Sequence, residues 1–104
     1  MQIYKTPLRE FKFLIEDFLN LKESETLKKL DLETSDLMLI IEEAAKLCEE
    51  TLLPLNQSGD SEGCSFNNGV VTAPKGFKEA YKTFSENGWQ GLKVKEEFGG
   101  QNLP

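Results

Sequence analysis

The chain has 104 residues, 38% hydrophobic and 29% charged, the make-up of one soluble domain with a single modest core. Lys+Arg 12 against Asp+Glu 18 leaves a formal charge of -6, which argues against nucleic acid or an anionic membrane as a partner. With His 0, a histidine triad, a histidine general base and histidine-ligated metal sites are excluded within the chain.

No apolar run approaches membrane-spanning length, and the first residues lack the hydrophobic segment of a signal peptide. No membrane span is expected, and the expected compartment is the cytoplasm. Cys48 and Cys64 are the two cysteines, without a CxxC spacing, so a disulfide between them is disfavoured.

In chain order, Met1 to Tyr4 reads as a short extended lead-in. Thr6-Pro7 reads as a helix start, with a capping oxygen and a proline at the first helical position. Leu8, Phe11, Leu14, Ile15, Phe18 and Leu19 form a wide apolar stripe on this helix, which should end near Asn20. Phe13 points away from that stripe. A short helical turn is expected over Glu25 to Leu30, with Leu27, Leu30 and Leu32 tucked beneath the first helix.

Ser35 to Asn56 carries the dominant pattern. At about 100° per residue, Leu37, Ile40, Ile41, Ala44, Ala45, Leu47, Cys48, Leu52 and Leu55 share one arc. Glu42, Glu43, Lys46, Glu49 and Glu50 share the opposite one, so this is an amphipathic helix. Thr34 or Ser35 supplies its capping oxygen, Asp36 complements its dipole, and Glu42 with Lys46 forms an i,i+4 pair. Leu39 and Leu53 project onto the charged side. From periodicity alone they are either scattered exposed leucines or a second buried face.

Pro54 predicts a kink or an end, and the QSGDSEG segment after it reads as a turn by composition. Phe66 and Val70-Val71 flank Asn67-Asn68-Gly69, the strongest short hairpin signal in the chain. A two-stranded ribbon is expected, lying on the helices because such a ribbon is marginal alone. Pro74 opens a last helix with Phe77, Ala80, Tyr81 and Phe84 on one face, closed by Gly88 as a left-handed cap. The closing GWQGLKVKEEFGGQNLP is an ordered irregular segment anchored by Trp89, Leu92, Val94 and Phe98. Gly99-Gly100 turn within it, and Asn102 tolerates positive φ.

Three constellations could carry chemistry, and a plainer reading wins for each. Gly99-Gly100 has no strand before it and no GK[ST] after it, so it is a tight turn rather than a phosphate loop. Glu42, Glu43, Glu49 and Glu50 share a face with Lys46 and read as a solvated helix face. Trp89, Tyr81 and Phe84 read as core at a helix end rather than a ligand platform. No catalytic residue and no metal site is assigned.

The ending resembles a segment of the acyl-CoA dehydrogenases, where a Gly-Trp-x-Gly-Leu stretch precedes Glu-Glu-aromatic-Gly-Gly-x-x-Leu-Pro. Here those positions are Gly88, Trp89, Gly91, Leu92, Glu96, Glu97, Phe98, Gly99, Gly100, Leu103 and Pro104. EEAAKLCEETLLPLNQSGDSEGC is similar to the family's long helix, Pro-Leu-Asn break and Gly-Asp-x-Glu-Gly turn. YKTPLREFKFLI is similar to the N-terminal extension of a larger subgroup, which includes enzymes acting on 3-(methylthio)propanoyl-CoA-type thioesters. Lys95 departs from a proline common in the family, and Asn102 from a glycine.

The resemblance implies a mainly α fold, the N-terminal helical domain of the acyl-CoA dehydrogenase type, with one small β-hairpin. Residues 1–34 would be an N-terminal extension with a short helix pair, and 35–104 the helical domain. The chain then looks cut, without the central β-domain and C-terminal helical bundle. The implied activity is α,β-oxidation of an acyl-CoA, with FAD as cofactor and an electron-transfer flavoprotein as electron acceptor. FAD is not expected on this segment alone, and a homo-oligomer is expected of the complete enzyme. No glutamate here matches the catalytic position. Phe98, Gly99 and Gly100 are the residues placed nearest the substrate cleft. The resemblance favours the second-face reading of Leu39, Leu53 and Phe13, covered by the missing domains. The alternative is a free-standing helical interaction module without catalysis. A third option, an acyl-CoA oxidase, would give its electrons to oxygen.

Overall fold

The computed structural model describes residues 3–104; Met1 and Gln2, the start of the expected lead-in, lie outside them. Helix α1, Leu8–Phe13, runs on through a π-helical turn, Leu14–Phe18, in which the Leu19 amide reaches back to the Leu14 carbonyl at 2.8 Å. Asn20, at φ 49°, ends it as expected. Its start differs from expectation. Pro7 is the cap rather than the first helical residue, and the Thr6 hydroxyl caps nothing; it is buried without a hydrogen-bond partner. The six-residue stripe divides: Ile15 is buried and Leu8 half-buried, while Phe11, Leu14, Phe18 and Leu19 stay exposed. The cause is position: α1 has α3 against one flank only.

Helix α2, Glu25–Lys29, buries Leu27, with Leu30 and Leu32 half-buried beside it. Helix α3, Thr34–Lys46, starts one residue earlier than the pattern suggests. Its cap is Glu33, whose amide donates to Asp36 Oδ2 at 2.8 Å, so Asp36 serves both the cap and the helix dipole.

Pro54 does not end the helix. A π-helical turn, Leu47–Leu52, joins α3 to α4, Leu53–Glu62. Within it the Leu53 amide bonds to the Cys48 carbonyl, five residues back. Proline lacks a donor and its ring crowds the carbonyl four residues earlier, and a wider turn just upstream relieves both. The QSGDSEG segment, expected as a turn, is mostly helical, and Gly63 at φ 66° is where the helix stops.

Strands β1, Ser65–Asn67, and β2, Val70–Thr72, pair antiparallel, Phe66 opposite Val71, around a turn with Asn68 at φ 50° and Gly69 at φ 79°. Two successive left-handed residues make the I′ geometry that the Asn-Gly pair favours. The ribbon does not lie on the helices, however; every residue of both strands is exposed. Gly69→Val should therefore melt the ribbon and leave the helices unchanged, with strand amides losing protection while the helical circular-dichroism transition keeps its midpoint. A shift of that midpoint would mean the ribbon supports the rest.

Helix α5, Phe77–Glu86, begins three residues after Pro74 and is closed through Asn87 by Gly88 at φ 77°. Its first residue docks on α4: the Phe77 ring occupies the space where a Cβ on Gly59 would stand. Ala80 is buried beneath it.

The result is mainly α with one small two-stranded sheet, spread as a slab of 56 × 37 × 15 Å. Its radius of gyration is 17.6 Å, against roughly 13 Å for a compact domain of about 100 residues. Its accessible surface is 8232 Å², against roughly 5,900 Å² from the mass scaling of folded monomers. Among the described residues the buried hydrophobic set is correspondingly small: Ile15, Leu27, Ala45 and Ala80. Apolar surface is laid out across the slab rather than gathered inside it.

Candidate functional site

The closing segment is held as a clamp. Amides of Gln101, Asn102 and Leu103 donate to the carbonyls of Gly91, Val94 and Leu92 at 2.9, 2.9 and 2.8 Å. Two short 3₁₀ turns, Trp89–Gly91 and Glu96–Phe98, sit on one arm of the clamp. Closure requires Gly100, whose missing Cβ would overlap the Val94 carbonyl, and Gly99, at φ 86°. Lys95 at φ -60° adopts the dihedral that a proline imposes, and Asn102 at φ 55° the left-handed region that a glycine favours.

The clamp carries Leu92 and Leu103 to α3, where both join Ile40 in the walls of two apolar grooves. The first, about 450 Å³, is completed by Ile15, Leu27, Leu37 and Ile41, with Lys93 as its cation. The second, about 500 Å³, is completed by Leu32, Leu39 and Trp89 and by the polar Glu43, Asn87 and Gln101. A third, about 330 Å³, lies between α4 and α5 among Leu52, Leu55, Phe77, Tyr81 and Phe84.

Phe98, Gly99 and Gly100 line none of these three grooves. Phe98 stands at the tip of the clamp, 74% exposed. Of the expected second face, Leu39 is 61% and Phe13 54% exposed, and Leu53 is half-buried. The expected aromatic core is divided: Tyr81 and Phe84 pair at 6.4 Å between centroids with Tyr81 largely exposed, and Trp89 lines the α3 side.

The acidic face of α3 is only partly solvated. Glu49 lies in the π-helical turn, its side chain 19% exposed, and accepts from the Thr6 amide at 3.3 Å beside the Lys5 ammonium, also 3.3 Å. It ties the N-terminal segment to the long helix, a role the helical wheel did not assign. Glu49→Ala should free that segment at a cost of roughly 1 kcal/mol, read as faster exchange of the Thr6 amide with α3 protection unchanged. Unchanged Thr6 exchange would contradict it. Lys46 pairs with Glu43 at 2.7 Å rather than with Glu42, and this hydrogen bond holds its ammonium above the ordinary lysine range. Both cysteines are free, Cys48 half-buried and Cys64 exposed.

Among the described residues no group of three His, Cys, Asp or Glu is placed to hold a metal ion. A flavin dinucleotide would need converging amides or cations for its diphosphate. Of the two grooves that α3 shares, the first holds a single cation, Lys93, among apolar and hydroxyl side chains, and the second holds none, with Glu43 on its wall. These residues do not fit that group, and no step is derived through it.

No helix among the described residues is long and apolar enough to cross a membrane. No protein-family model matches the chain. Over 102 residues it is 37% identical to a curated protein of Ruegeria pomeroyi, 3-methylmercaptopropionyl-CoA dehydrogenase, an alignment covering 97% of this chain and 17% of that protein. The chain thus spans about a sixth of the length of the relative it matches.

Proposed function

We propose that this chain is the N-terminal helical part of a FAD-dependent acyl-CoA dehydrogenase, residues 1–34 its extension and 35–104 the helical domain. The observation that carries the reading is the slab itself. Apolar grooves around Ile40, Leu92 and Leu103 stay open while the surface exceeds that of a compact monomer by roughly 2,300 Å². That is the surface a further body would bury. The likeness to a much longer dehydrogenase supports the same conclusion.

In this reading the catalytic glutamate and the flavin site belong to the remaining domains. The whole enzyme would oxidise an acyl-CoA between its α and β carbons and pass electrons to an electron-transfer flavoprotein. The name of the relative suggests a short thioether acyl group as substrate. The Phe98–Gly99–Gly100 tip would border the substrate cleft, and the open grooves would pack against the β-domain. A cytoplasmic homo-oligomer completes the proposal.

A chimera tests it. The matching 102 residues of the Ruegeria enzyme are replaced by this chain, and turnover of 3-methylmercaptopropionyl-CoA is measured. Turnover within tenfold of the parent, with none from the 104-residue chain alone, is the expected result. A chimera that folds but is inactive would contradict the assignment and favour a free-standing module, and turnover by the isolated chain would contradict the placing of the chemistry in the remaining domains.

A further inference from the structure

No further inference is drawn: the strongest candidate, the exposed apolar stripe of Phe11, Leu14 and Phe18 along α1 and the π-helical turn that continues it, is an unpartnered face, and nothing in the structure shows what covers it.

Discussion

Gly100→Ala is expected to open the closing clamp while α3 and α4 remain folded. A Cβ at this position would overlap the carbonyl oxygen and carbon of Val94 and its Cβ. Two of these atoms are backbone, fixed by the bonds of Val94 and Asn102 to their partners, so no side-chain rotation relieves the overlap. Overpacking of this kind costs about 1–3 kcal/mol, and the rigidity of the obstacle argues for the upper end. The neighbouring Gly99 is the control. It has positive φ but open space around its Cβ position, so Gly99→Ala should cost only the left-handed penalty of about 1–2 kcal/mol. Exchange at Gln101, Asn102 and Leu103 reads the difference: protection largely lost in the first variant and reduced in the second. Equal protection in both would show that close approach to Val94 does not govern the clamp.

Leu27→Ala is expected to have the largest effect on global stability. Leu27 is 3% exposed, the most buried large side chain, and it stands in the first groove beside Ile15 and Ile41. Burying and then deleting a leucine costs about 2–5 kcal/mol, depending on how well the site relaxes. This groove is open, so its walls can close on the gap, and a loss of about 2–3 kcal/mol follows. The urea midpoint should fall accordingly with little change in slope. Leu39→Ala, at an exposed position, should stay within about 0.5 kcal/mol of the parent in the isolated chain. If Leu39→Ala proved as damaging as Leu27→Ala, the second face would already be covered.

What the sequence made legible was mostly local backbone chemistry. Asn68-Gly69 forms the expected turn, Gly88 the expected cap, and Gly99 and Asn102 the expected left-handed positions, because each depends on the residue's own φ preference. Readings failed where a neighbour decided. Gly59 looked like a turn residue, yet it is helical, and the Phe77 ring stands in the room that its missing Cβ leaves. Pro54 was expected to kink or end the helix, and of these the end is excluded, because a π-helical turn upstream lets the helix pass through it. The helical wheel placed Glu49 in solvent, but that same turn is where Glu49 meets Thr6. The grooves were legible only in their membership. Ile40, Leu92 and Leu103 are apolar in the sequence, but their meeting depends on the clamp's hydrogen bonds.

The α1 stripe shows the limit most plainly. Its apolar residues identify an apolar arc, but a stripe cannot say whether its cover lies in the same chain. Only Ile15 and Leu8 are covered here, and the other four residues are open.

Sedimentation equilibrium of the isolated 104-residue chain, across a range of concentrations, tests the central claim most directly. With this much apolar surface uncovered, the apparent mass should climb above 11.8 kDa as concentration rises. A monodisperse monomer of 11.8 kDa at every concentration, cooperatively folded and with a radius of gyration near 17.6 Å, would contradict it.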